Sequence, residues 1–158
     1  MSDGRFKEYV DYPSEARHIE FKENIAWKGK QAKAKITKAI IALSNLRDGG
    51  WFIVGKRQNP DGSFIKIGVH DDTFASYKAD EIKDYLASHV EPPVSIEVFQ
   101  EEFDSQKFVG IKVEGIRDYR HVCSQPELYK GKPIIESGVS YVRSHGKDGN
   151  ARARHEEN

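Results

Sequence analysis

The stretch Ala34 to Gly55, AKITKAIIALSNLRDGGWFIVG, holds a helix signal, a glycine turn and a strand signal in succession. Ile36, Ala39, Ile40, Leu43 and Leu46 recur at helical spacing and give one apolar face. Asn45, Asp48, Gly49 and Gly50 break that period, and the paired glycines tolerate positive φ, so the chain can reverse closely. Trp51-Phe52-Ile53-Val54 follows, a run of aromatic and branched side chains suited to a buried strand.

Upstream, Ile19 and Phe21 alternate with Glu20 and Lys22, the mark of a half-buried strand with Glu20 and Lys22 on one face. Asn24 to Gln31 reads as a basic loop, and the polar residues before Pro13 read as frayed, with Tyr9, Val10 and Tyr12 able to dock. Downstream, Asn59-Pro60-Asp61-Gly62 is a turn signal, which makes Trp51 to Val69 an antiparallel hairpin. A second helix is expected over about Thr73 to His89, stopped by Glu91-Pro92-Pro93. Val94 to Phe103, Phe108 to Val113 and Val139 to Arg143 read as strands, and Arg117 to Ile134 as irregular. The pattern predicts a single α+β domain, a mostly antiparallel sheet of about six strands with two main helices. Its expected divisions are an N-terminal extension over 1–13, the domain over 14–146 and a polar tail over 147–158.

The 158 residues carry 32% charged side chains and a net charge of zero. That total conceals two opposed blocks. Trp27 to Arg57 holds eight Lys or Arg against one acid, and Asp71 to Asp104 holds ten acids against two lysines. Such a chain presents distinct faces, one suited to phosphate. The single cysteine, Cys123, excludes an internal disulfide framework and fits a reducing compartment. No segment approaches the ~18 apolar residues of a membrane span, and the N-terminus lacks the apolar core of a signal peptide, so no membrane partner and a cytoplasmic location are expected. The histidines show no zinc-site spacing. Gly49 and Gly50 lack a lysine-threonine sequel, and no nucleophile elbow is present.

Glu15 followed by Ile19-Glu20-Phe21-Lys22 is similar to the opening motif of the Schlafen AlbA_2 domain family. Ala42-Leu43-Ser44-Asn45 and Gly49-Gly50-Trp51-Phe52-Ile53-Val54-Gly55 resemble that family's helix, asparagine, double glycine and strand. Gly68-Val69, Pro92 and the run Gly138 to Gly146 continue the likeness, which covers roughly Ser14 to Ala151. The resemblance implies a nucleic-acid-binding domain, acting on DNA or RNA. In some members it also implies a metal-dependent endoribonuclease that cuts tRNA or rRNA. Animal members join two such lobes, so for one lobe a homodimer is expected.

In the nuclease reading Glu15, Glu20 and Lys22 are the catalytic candidates. Glu15 and Glu20 would hold Mg2+ or Mn2+, which favour oxygen ligands, and Lys22 would contact the phosphate. Nuclease-type members carry a third acid just after the glycine that ends the first hairpin strand. Here Gly55 is followed by Lys56 and Arg57, leaving Asp61 as the candidate third ligand. Glu20 and Lys22 equally suit a surface pair. Glu20-Phe21-Lys22 also fits the E-x-K half of restriction-type sites, with Asp11 the nearby aspartate.

For binding, the candidates are Lys28, Lys30, Lys33, Lys35, Lys38, Lys56 and Arg57, with Trp27 as a base-stacking platform. Arg143 and Lys147 belong to a second basic group that includes Arg152 and Arg154. The leading expectation is binding of the phosphate backbone, for which no particular cofactor is indicated. The alternatives are a Mg2+- or Mn2+-dependent nuclease, and a protein-interaction module or inhibitor using the acidic stretch Asp71 to Asp104.

Overall fold

In chain order the elements are α1 (Gly4–Val10), β1 (Ile19–Lys22), α2 (Gly29–Ser44), β2 (Gly50–Val54), β3 (Lys56–Gln58), β4 (Phe64–Lys66), α3 (Asp71–Ser76) and α4 (Ala79–His89). There follow β5 (Val90–Glu91), β6 (Ile96–Phe103), β7 (Gln106–Val113), β8 (Val122–Cys123), β9 (Glu127–Tyr129), β10 (Lys132–Ile135), β11 (Tyr141–His145) and β12 (Ala151–His155). The computed structural model describes residues 4–115, 121–129, 132–135, 139, 141–145 and 151–155.

β2 is buried at all five positions. A strand achieves this only when both faces are covered. It lies inside a four-stranded sheet of order β1-β2-β7-β6, parallel to β1 and antiparallel to β7. Side chains alternate across it. Phe52 and Val54 join Val109, Ile111 and Val113 against α2, while Trp51 and Ile53 join Ile19, Phe21 and Phe108 against α1. The fold is therefore α+β, with one parallel pair in an otherwise antiparallel sheet.

The segment expected to fray forms α1. Phe6 and Val10 are fully buried, and the Phe6 ring stacks on Trp51 with centroids 5.6 Å apart and planes 4° from parallel. Gly110 in β7 makes room, since a Cβ there would lie 2.5 Å from Phe6 Cε1.

α2 was expected to bury one stripe. From Ala39 to Ser44 every residue is buried, because β2 and β7 pack on one side of the helix and β9 to β12 on the other. A helix enclosed all round is apolar all round, and its few polar atoms bond internally. Thr37 Oγ1 donates to the Lys33 carbonyl and Ser44 Oγ to that of Ile41, each at 2.7 Å. Asn45 then ties the helix end to the C-terminal strands. Its Nδ2 donates to the carbonyls of His121 and Tyr141, both at 3.0 Å, and its Oδ1 accepts from the His121 amide at 2.6 Å.

The sequence expectations are redrawn in four places. The hairpin is β3–β4, with Lys56 opposite Lys66, because β2 pairs with β1 and β7 instead. The second helix divides into α3 and α4 at Tyr77, which is fully buried and donates its hydroxyl to the Ile25 carbonyl at 2.6 Å. The segment read as irregular contains β8, β9 and β10. Within the polar tail, residues 151–155 form β12, paired antiparallel with β11. Among the described residues, no helix is long and apolar enough to cross a membrane.

Candidate nucleic-acid interface

Lys28 caps α2, Lys30 and Lys33 stand in its first turns, and Lys35 and Lys38 follow. Lys28, Lys30 and Lys35 are exposed. Lys33 Nζ lies 5.8 Å from the Trp27 ring centroid and Lys38 Nζ 5.2 Å from that of Tyr141, so these two lay their stems along aromatic faces. None of the five forms an ion pair among the described residues, unlike Lys7, Lys22, Lys66 and Lys107. The first turn of α2 contains no acid. Unpaired N–H groups and the helix dipole make that end positive already, so the lysines add like charge to it.

Two binding candidates are corrected. Trp27 is 3% exposed and packs edge-on against Tyr85, with centroids 5.3 Å apart, so its ring belongs to the core and offers no face to a base. Lys56 is 2% exposed. Its ammonium donates to the carbonyls of Val10 and Tyr12 at the end of α1 and sits 4.5 Å from the Phe21 ring centroid. Desolvation pushes its pKa down to about 8, helped by nearby Lys66 and opposed by Asp11. A phosphate cannot reach it there. Arg57, its neighbour, is exposed on β3 opposite Ile65. Arg143 lies in β11, opposite Ala153 of β12. This ribbon packs against α2, and β12 also meets β1, so the second basic group's backbone lies beside the first. Lys147 lies outside the described residues.

The candidate carboxylates each bond to a neighbour. Glu15 Oε2 accepts the Phe21 amide at 2.9 Å, which ties it to the backbone of β1. Glu20 is buried and its Oε1 lies 3.4 Å from Lys22 Nζ, so its charge is already countered. Asp61 Oδ1 accepts both the amide and the hydroxyl of Ser63, at 2.9 and 2.6 Å, closing the β3–β4 turn. Those bonds hold its carboxyl below the usual range. Among the described residues no three His, Cys, Asp or Glu side chains group closely enough to hold a metal ion. In these positions the three candidate carboxylates are each engaged by a neighbour in the chain rather than turned toward one another.

The burial of Lys56 and Trp27 was missed because a lysine after a strand and a tryptophan in a basic loop both read as surface. The signal for α1 was present in the spacing of Phe6, Tyr9 and Val10.

The family model described as "Schlafen, AlbA_2" matches residues 15–152. No curated protein matches the chain. Among solved structures, the DIP2311 protein of Corynebacterium diphtheriae is similar with a TM-score of 0.56 at 14% identity, over 98% of this chain and 27% of that one. The chain thus spans about a quarter of that protein's length. The N-terminal domain of a putative ATP-dependent DNA helicase RecG-related protein from Nitrosomonas europaea gives a TM-score of 0.48 at 19% identity, covering 78% of this chain and 82% of that one. With the family model spanning nearly the whole fold just described, the chain belongs to the Schlafen AlbA_2 family.

Proposed function

We propose that this domain binds nucleic acid through the phosphate backbone. The contacts are Lys28, Lys30, Lys33, Lys35 and Lys38, from the start of α2 into its third turn, together with Arg57, and Arg143 and Lys147 are further candidates by sequence. The observation that carries this reading is the set of five lysines without an ion pair among the described residues, running from the positive start of α2 into its third turn. Membership of the AlbA_2 family supports it. Such contacts neutralise phosphates and displace counterions, which gives affinity without base readout. A homodimer in a reducing, cytoplasmic setting belongs to the same reading. Buried, unpaired Cys123 is compatible with that setting.

The test is fluorescence anisotropy with tRNA, single-stranded DNA and duplex DNA across a salt series, in Mn2+ and in EDTA. Binding should fall steeply with salt. Lys33→Glu with Lys35→Glu should weaken it and flatten the slope of log affinity against log salt by about 0.7–0.9 per lost contact. Unchanged affinity in that variant overturns the proposal. Absence of any binding at low salt, with a stable protein complex on pull-down, favours the interaction module. Mn2+-dependent RNA cleavage that disappears in Glu20→Ala favours the nuclease.

A further inference from the structure

The sheet ends in an open edge. In the order β1-β2-β7-β6, β6 is outermost and pairs with β7 alone among the described residues. It joins β7 through Asp104 and Ser105, with φ of 52° and 65°. Two positive-φ residues make the two-residue hairpin turn in which the flanking residues, Phe103 and Gln106, exchange hydrogen bonds. Alternation then turns the amides and carbonyls of Phe99 and Glu101 toward β7 and those of Val98, Gln100 and Glu102 outward. No hydrogen bond reaches those three backbones from elsewhere among the described residues.

An unpaired edge is a template for another strand, and proteins blunt it with proline, lysine, a bulge or a cover. β6 runs eight residues, Ile96 to Phe103, in unbroken register with β7 and contains neither proline nor lysine. Its guard is acidic: Glu97, Glu101 and Glu102, with no cation between Val94 and Ser105. Glu97 stands opposite Lys112, and Glu102 opposite Lys107, whose ammonium lies 2.8 Å from Asp71. Glu101 stands opposite Phe108, and its Oε2 is buried with no hydrogen-bond partner among the described residues. A buried carboxylate oxygen without a donor is costly, and a cation set beside it removes that cost.

We propose that the outer edge of β6 takes up an extended, basic segment of a partner protein as a fifth strand, with an Arg or Lys of that segment against Glu101. Main-chain bonds to Val98, Gln100 and Glu102 supply affinity, and alternate side chains supply choice. Cross-strand neighbours stand about 4.5–5.5 Å apart, within reach of an Arg or Lys. A second copy of this chain fits worse, because its own β6 brings the same three acids to the edge and no cation. An acidic strand is turned away for the same reason. β6 shares no residue with the lysine surface and lies at the opposite edge of the sheet from β1, so this site stands without the first proposal.

The probe is the acetylated, amidated heptapeptide Val-Lys-Arg-Thr-Val-Val-Arg. In antiparallel register its residues stand opposite Phe103 to Glu97, with its first Arg opposite Glu101. Hydrogen exchange of the full chain, labelled with 15N, is followed by NMR. Alone, the amides of Val98, Gln100 and Glu102 should exchange rapidly while those of Phe99 and Glu101 are protected. The peptide should protect the three saturably, and Glu101→Lys should lower its affinity about tenfold or more. Methylating the amides of the second, fourth and sixth peptide residues keeps every charge but removes the donors, and should abolish the protection. A peptide with Glu at the three cationic positions should not bind. Protection of the three amides that grows with protein concentration alone would identify a second copy as the occupant and overturn the proposal. Equal affinity for the methylated or the acidic peptide, no protection at millimolar peptide, or full affinity in well-dispersed spectra of Glu101→Lys would overturn it as well.

Discussion

Lys56 Nζ donates to the carbonyl oxygen of Tyr12 at 2.6 Å, so a lysine in β3 closes the end of α1. Burial lowers its pKa from 10.5 to about 8. Between those values the unfolded chain keeps a proton that the folded chain has released, and through this group stability rises with pH across that window. Lys56→Met should remove the rise. Urea denaturation of both proteins from about pH 8 to 10.5 should show the difference growing in favour of the parent, by up to about 3 kcal/mol. A flat difference would mean that the amine keeps its proton.

Phe6 and Gly110 are one packing unit. Phe6→Ala should cost about 3–5 kcal/mol and red-shift Trp51 fluorescence, since its stacked neighbour is lost. Gly110→Ala places a methyl group where the ring lies. The double variant should be less destabilised than the sum of the single changes, because the alanine then fills space vacated by the ring. Additive costs would show that Gly110 matters for another reason.

Asn45→Ala should cost about 1–3 kcal/mol, since its three bonds to His121 and Tyr141 are lost. Asn45→Asp should cost at least as much. It keeps the acceptor but aims a buried carboxylate at the carbonyls of His121 and Tyr141. Thermal denaturation orders the three proteins. Asp above Ala in stability would contradict the donor role assigned to Nδ2.

Lys30→Glu should move stability and binding in opposite directions. An acid in the first turn of α2 complements the helix dipole, a gain of about 0.3–1 kcal/mol, while nucleic-acid affinity falls. Measuring both on one preparation separates a lost contact from a damaged fold.

Adding Mg2+ or Mn2+ should leave the melting temperature unchanged at constant ionic strength, because Glu15 and Glu20 are engaged by Phe21 and Lys22. A saturable rise that disappears in Glu20→Gln would reveal a metal site.

The centre of this fold was legible because its signals are local. The period of α2, the double glycine and the continuous apolar run of β2 each occupy a few consecutive residues. Tertiary closure was illegible. That Lys56 is buried depends on two carbonyls more than forty residues earlier in the chain. That α2 is enclosed all round depends on ribbons formed by its C-terminal third. The proposed lysine surface was visible as a charge block, but the sequence could not separate Lys56 from its neighbours.

The enclosure of α2 also limits how its lysines could be read by a ligand. The far half of the helix is buried on every side, so the lysines are carried on a helix anchored at one end. From Lys30 to Lys38 the rise is about 12 Å, but at about 100° per residue Lys33 and Lys35 project roughly 160° apart. One straight strand could then meet only part of the set, and in the proposed reading a salt slope calling for five or more contacts would count cations supplied by Arg57, the C-terminal ribbon or a second copy.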